Sequence, residues 1–306
     1  MAWELEQPLI RPPSESRSVL VRLTRGCKWN LCRFCGNYPS LGEPEFSRRP
    51  VADVKRDIDR LKEIMPHART AFIGDSDPLQ AGLEDFLVVA DYLRKAIPVE
   101  RLTTYARAST LYKLEEGALG RLARGGLSRV HIGLESGDPA TLGFHRKGQS
   151  PEMIKAVARR LKRAGIEISF YVLLGMGGRD HWARHIRRTA DLINETEPEF
   201  LRLRRLWIYG NDGLHGSAEC PLWEEIRDGR FVPQSPEGSV RELRLLVELL
   251  DESLKTAVVS DHQNNYVHIA GTVTEHKRDM LAEIDAFLAL PPEEREAHYN
   301  SVGSGI

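Results

Sequence analysis

LSRVHIGLESGDPATLGFHRKGQSPEMIKAVARRLKRAGIEISFYVLLG, residues 127–175, decides the fold class of this chain. It opens on a strand-like apolar run, 127–134, and crosses a turn-rich stretch. From 151 to 164 its apolar residues recur at helical spacing, and a second strand-like run occupies 166–175. A strand, a helix and a strand in that order predict two parallel strands joined by a right-handed crossover. The pattern repeats outward. Strand-like runs at 18–24, 68–74 and 101–107 lead to helices near 51–65, 81–95 and 114–124, a further helix lies near 180–194, and 199–209 closes the series. Six such units fit an incomplete (β/α)6 barrel or a doubly wound sheet. Residues 1–17 read as an arm, 18–210 as the α/β domain, and 211–306 as a mostly helical extension, with helices near 239–256 and 275–289, that packs on the barrel.

Parallel strands covered on both faces usually read as continuous apolar runs. Several of these alternate instead. Thr103, Tyr105 and Arg107 share one face, as do Arg129, His131 and Glu135, Glu167, Ser169 and Tyr171, and Arg202 and Arg204. If the apolar set packs on the helices, this polar set lines the interior and can hold a ligand. The alternative is a set of internal ion pairs that only keeps the strands in register.

Composition excludes some classes. The formal net charge of -1 gives no field that would favour nucleic acid or an anionic membrane. No secretion signal and no apolar run of membrane-spanning length is visible, so a cytoplasmic protein is expected. Three of the four cysteines, Cys27, Cys32 and Cys35, fall within nine residues as C-x4-C-x2-C, directly after the first strand. Only Cys220 lies elsewhere, which argues against a disulfide scaffold.

The cysteines allow three readings. Plant-type [2Fe–2S] carriers use this spacing with a distant fourth cysteine, which here would be Cys220. Structural zinc needs four ligands, in paired clusters as a rule, and no second pair follows. Three thiolates on an iron–sulfur cube would leave one iron without a protein ligand. The loop after a barrel strand is where active sites are built, which favours the last.

Here the sequence resembles the radical S-adenosylmethionine (SAM) superfamily, over about residues 18–210. The first cysteine gap holds one residue more than the usual C-x3-C-x2-C, and the aromatic before the last cysteine is Phe34. GDSDP (74–78) stands where the family often carries Gly-Gly-Glu, with Gly74 and Asp75 in its place. HIGLESGDPATL (131–142) with KG (147–148) is similar to the HemN, Elp3 and MiaB-like branch, and AGIEISFYVLLGMGG (164–178) to the strand end that borders adenine. The resemblance implies a partial barrel, a [4Fe–4S] cluster on the three cysteines, and SAM as the second cofactor. It places Phe34, Gly74, Asp75, Glu135, Ser136, Lys147, Leu173 and Gly175 at the cofactor, with Asp75 suited to the SAM ammonium and Arg146 or Lys147 to its carboxylate.

The activity implied is reductive cleavage of SAM to a 5′-deoxyadenosyl radical that abstracts hydrogen from a substrate. Arg202 and Arg204 would place two guanidinium forks in the interior, so a small anionic substrate is expected, with Tyr105 and Arg107 as further contacts. An electron donor such as flavodoxin or ferredoxin is the expected protein partner, with no nucleic acid and no membrane. The alternatives are a non-catalytic SAM and cluster binder, such as a haem carrier, and an iron–sulfur electron carrier. His181 and His185, spaced i,i+4, read as a helix surface. DHQNNYVHIAG (261–271), with His262, Asn264, Asn265 and His268, reads as a lid or substrate loop, or as a polar turn.

Overall fold

The computed structural model describes residues 10–42, 45–208 and 220–302. The elements run β1 (Val19–Arg22), β2 (Thr24–Arg25), α1 (Asn37–Ser40), β3 (Ser47–Arg48), α2 (Val51–Ile64), β4 (Thr70–Gly74), α3 (Leu83–Ala96), β5 (Arg101–Tyr105), α4 (Ala108–Lys113), α5 (Ala118–Arg124), β6 (Leu127–Glu135), α6 (Pro139–Phe144), α7 (Pro151–Ala164), β7 (Glu167–Leu174), α8 (Gly178–Thr196) and β8 (Phe200–Arg205). After these come α9 (Leu222–Arg227), α10 (Pro236–Leu249), β9 (Ala257–Val259), β10 (Ala270–Thr272), α11 (Val273–Leu288) and α12 (Pro292–Ser301). The main sheet has the order β1-β4-β5-β6-β7-β8-β9-β10. Its pairs are parallel at β1–β4, β4–β5, β5–β6, β7–β8 and β8–β9, and β10 closes antiparallel on β9.

Six βα strands in sequence order are the series expected from the alternation. The last run predicted as strand, 199–209, is strand only to Arg205, and 209 lies outside the described residues. The extension is helical in the main, yet it also adds β9 and β10 to the sheet. At three residues each, both are too short to show a period of two.

Contacts divide the chain into two compact units. One holds Met1–Asn30, Asn37–Ile132 and Arg159–Ile168; the other holds Leu31–Gly36, Gly133–Ala158 and Ser169–Ile306. In the first, α2 buries Val54, Ile58 and Leu61 at i, i+4 and i+7, and α3 buries Phe86, Val89, Ala90 and Leu93 at i, i+3, i+4 and i+7. Full burial of each such side chain stabilises by roughly 1.5–3 kcal/mol. Arg160 donates to the carbonyls of Leu111, Tyr112, Leu114 and Glu115, which satisfies acceptors left over at the end of α4.

Several polar strand residues of this unit meet one another. His131 lies edge-on to Tyr105 and tilted against Phe72, and its Nε2 is 3.3 Å from the buried Glu15 carboxylate. Arg129 pairs with Glu167 at 2.6 Å. Between these two strands the register-holding ion pair is therefore realised. Glu15 belongs to the segment read as an arm and is fully buried, where Ser18 and Arg101 also reach it.

In the second unit, Asn265 closes the end of β8. It donates to the Leu203 carbonyl at 2.9 Å and accepts from the Arg205 amide at 2.9 Å. The 261–271 segment is thus a hydrogen-bonded polar turn at this position, and His262 bonds within it to Asn264.

Candidate SAM and cluster site

The first unit carries Cys27, Gly74, Asp75, Tyr105 and Arg107 at or just beyond the C-terminal ends of its strands. Asp75 is buried, 1% exposed. Arg22 at the end of β1 pairs with it at 3.1 Å, and the Tyr38 hydroxyl donates to its other oxygen at 2.7 Å. Burial and the adjacent carboxylate raise the Tyr38 pKa well above its ordinary value.

Asp77, two residues on, was not singled out in the sequence. It is 1% exposed, takes the Thr110 hydroxyl at 2.6 Å, and is pushed by burial up to about 6. Its Oδ1 has no hydrogen-bond partner among the described residues. Asp77 also accepts from the Arg107 amide at 3.4 Å. The Arg107 guanidinium lies 4.4 Å from the Trp29 ring, two residues past Cys27.

The second unit carries Cys32, Phe34, Cys35, Glu135, Ser136, Lys147, Leu173, Gly175, Arg202 and Arg204. The segment Arg33–Phe34 is fastened on two sides. The Arg33 amide donates to His145 O at 3.0 Å and its carbonyl accepts from the Leu222 amide at 2.7 Å. Its guanidinium donates to Phe144 O at 2.6 Å and pairs with Glu225 at 3.2 Å. Phe34 meets His145 edge-on at 5.7 Å, and the Lys147 ammonium stands 5.8 Å from the Phe34 ring.

Lys147 pairs with Glu135 at 2.8 Å, and both are nearly buried. Glu135 holds φ at +61°, a left-handed conformation that costs a non-glycine residue energy and concentrates at functional sites. Gly133 is what admits the pair. A Cβ there would sit 2.1 Å from Glu135 Oε1 and 2.8 Å from Lys147 Nζ. Arg146, the alternative to Lys147, is exposed.

Ser136 is fully buried, and its hydroxyl is 2.7 Å from His185 Nδ1. His185 corrects one expectation. The i,i+4 histidines were read as helix surface; His181 is exposed, but His185 is fully buried. Its Nε2 lies 3.2 Å from the Leu173 carbonyl, which can only accept. The imidazole is therefore the Nε2–H tautomer, and Ser136 donates to Nδ1. Burial lowers its pKa to about 4, which keeps it neutral. The missed signal was the phase of α8: His185 shares a face with Ile186, Thr189, Ala190 and Ile193.

On β8, Arg202 Nε donates to Ser169 at 3.2 Å and Arg204 lies 5.1 Å from the Tyr171 ring. Both are half-buried.

Among the described residues, no group of three or more His, Cys, Asp or Glu side chains is close enough together to hold a metal ion. The fit to a cluster lies in the donors: Cys27, Cys32 and Cys35 form no disulfide, are partly exposed and follow one another in a short stretch of sequence. Soft thiolates are the ligands that iron–sulfur clusters take. Cys220 is 1% exposed, in an apolar cluster with Leu222 and Phe231 against which Phe34 packs.

The family model described as the Radical SAM superfamily matches residues 21–193, more than half of the chain. The chain belongs to the radical SAM superfamily. Its members are enzymes that use a [4Fe–4S] cluster and SAM, and the match begins on the strand that leads into the three cysteines. A tRNA-2-methylthio-N(6)-dimethylallyladenosine synthase of Nitrosomonas europaea is 25% identical over 248 residues, covering 76% of this chain and 50% of that protein. The chain thus spans half the length of this curated relative. Coproporphyrinogen III oxidase (HemN) of Escherichia coli superposes with a TM-score of 0.55 at 14% identity, over 76% of this chain and 51% of its own. Elp3 of Methanocaldococcus infernus gives 0.53 at 15% identity, over 81% and 57%. These relatives are those of the HemN, Elp3 and MiaB-like branch, and the structural likeness shows the partial-barrel fold. Among the described residues no helix is long and apolar enough to cross a membrane.

Proposed function

We propose that this protein is a cytoplasmic radical SAM enzyme with one open [4Fe–4S] cluster, which abstracts hydrogen from a small anionic substrate. One observation carries the reading: a three-thiol loop that follows β1 and the two-residue β2, inside a stretch that matches the superfamily. Residues 18–210 form the catalytic domain, and Cys27, Cys32 and Cys35 hold the cluster. When bound, the cluster supplies the electron that cleaves the SAM sulfonium, with reduced flavodoxin or ferredoxin as donor.

The protein's own residues bind, orient and exclude water. Lys147, paired with Glu135, offers its ammonium to the SAM carboxylate. Asp75, with its oxygens oriented by Arg22 and Tyr38, takes the SAM ammonium. Gly74, Ser136 and the backbone at Leu173–Gly175 shape the rest of the cofactor's bed, and Phe34 shields the cluster side of it. Tyr105, Arg107, Arg202 and Arg204 meet the substrate's charge.

Protein reconstituted under anaerobic conditions and given dithionite and SAM should release 5′-deoxyadenosine. Absence of that product, with iron present, would defeat the proposal.

A second reading has one observation behind it. Cys220 is 185 residues beyond Cys35 in sequence, but Leu222 is hydrogen-bonded to Arg33 in the cysteine loop. A closed cluster with Cys220 as fourth ligand would make the chain an electron carrier. About two irons per chain and a spectrum indifferent to SAM would favour that reading.

A further inference from the structure

The end of β7 is held by a residue from the C-terminal extension. Glu242, on α10, is fully buried. Its Oε2 accepts the Gly175 amide proton at 2.6 Å, and its Oε1 accepts from the Gln234 side chain at 2.8 Å. Gly175 holds φ at +90°, a conformation open to glycine, so the amide direction at this turn depends on what it bonds to. Two residues earlier, His185 Nε2–H holds the Leu173 carbonyl, while Ser136 holds His185 from the end of β6. The Asp138 amide donates to Ser136 Oγ at 3.0 Å, and the Gly137 amide to Thr189 at 2.8 Å. The strand ends of β6 and β7 are thereby fixed by one buried polar network, with Glu242 and His185 4.0 Å apart.

This network bears on the adenine. The Gly175 N–H has one hydrogen bond to donate, and Glu242 Oε2 accepts it. The amide is therefore not left to read a nucleobase edge. What the turn offers is a shaped backbone surface whose position Glu242 sets.

We propose that Glu242 is a positioning residue for SAM, acting through the Gly175 amide to hold the β7 turn in the conformation that receives the adenosyl group. The proposal rests on the placement of SAM adenine at this strand end. Buried hydrogen bonds of this kind are costly to leave half-made, and a loosened turn must be reordered each time SAM binds. The effect therefore falls on SAM affinity rather than on chemistry at saturating SAM.

The test compares holoenzyme of the wild type, Glu242→Leu, Glu242→Gln and Gln234→Ala. SAM affinity is read from the change in the cluster's EPR signal, and 5′-deoxyadenosine formation is measured against SAM concentration. Glu242→Leu should raise the SAM Kd and KM about tenfold with kcat kept. Its EPR signal without SAM should match the wild type. Glu242→Gln keeps an oxygen for the Gly175 amide and should stay within about threefold of the wild type. Gln234→Ala frees the other oxygen and should shift KM in the same direction by a few-fold, which carries the test should the leucine variant fail to fold. Unchanged SAM affinity in Glu242→Leu, or in Gln234→Ala where only that variant folds, would overturn the proposal. So would a fall in kcat at constant KM. A wild type that cleaves no SAM would remove the cofactor reading itself, and this inference with it.

Discussion

Replacing Gly133 by alanine should displace the Glu135–Lys147 pair without changing either residue. The added Cβ would lie 2.1 Å from Glu135 Oε1 and 2.8 Å from Lys147 Nζ, distances that carbon cannot hold against oxygen or nitrogen. Gly133 is inside β6, where the backbone has little room to retreat, so the side chains must move. Both are about one-tenth exposed in their present positions. Both atoms are the far ends of flexible side chains, so the pair can shift aside instead of being lost. Removing one partner of a buried pair outright costs about 3–5 kcal/mol, and a displaced pair should cost nearer about 1 kcal/mol. For a chain of this size that corresponds to a fall in Tm of roughly 2–4 °C. The assay is thermal and urea unfolding of G133A beside the double variant E135A/K147A. The double variant removes both side-chain ends that the added Cβ would meet, so adding G133A to it should cost little further. SAM affinity should fall in G133A, because Lys147 no longer stands beside Phe34. A variant as stable as the wild type and equally avid for SAM would refute the claim that this glycine exists to admit the pair.

Four further outcomes follow. His185 is neutral in the fold with a pKa near 4, so the stability it contributes is present above about pH 6.5 and lost as pH falls through about 4. Glu242 is raised by burial to about 7, so its contribution is present below about pH 4.5 and lost as pH rises through about 7. Each is on the order of 3 kcal/mol and the two oppose each other, so urea unfolding from pH 4.5 to 6.5 should show stability rising more steeply with pH in E242Q than in the wild type; a shallower slope would contradict the assignment. Cys220→Ser should keep the full iron content and SAM cleavage of the wild type, and loss of half or more of the iron would instead support the closed cluster. The double variant R202A/R204A should raise the substrate KM while SAM cleavage without substrate persists; loss of the cluster would make the two arginines structural. Arg33→Ala removes the contacts to Phe144 O and Glu225, and iron incorporation at equal iron and sulfide supply should fall, with Arg33→Lys recovering part of it.

How much of this was legible depends on what sets each feature. The βα series was readable because amphipathic period and strand runs are local properties. The second helix of the quoted stretch, α7, falls at 151–164 as its spacing indicates. The cysteine spacing was readable for the same reason. What the sequence hid are partners far apart in the chain. Glu15 lies in the Pro- and Glu-rich segment that reads as an arm, yet it closes on His131, 116 residues away. His181 and His185 read together as helix surface because no HEXXH glutamate accompanies them, whereas the helix phase leaves His181 exposed and buries His185. Glu242 is one acid among several on a helix, and nothing local marks it as the acceptor for Gly175 across 67 residues. Cys220 was judged remote by counting residues, although a single backbone hydrogen bond brings its segment to the cysteine loop.

That bond has a practical side. Arg33 leans on α9, and Gly175 leans on α10. A trimmed version ending near residue 210 would keep every motif by which the family is recognised and lose the props beneath two of them. Such a minimal barrel should express as a collapsed, metal-poor species. Workers shortening this protein for crystallisation should cut beyond α10 rather than before it.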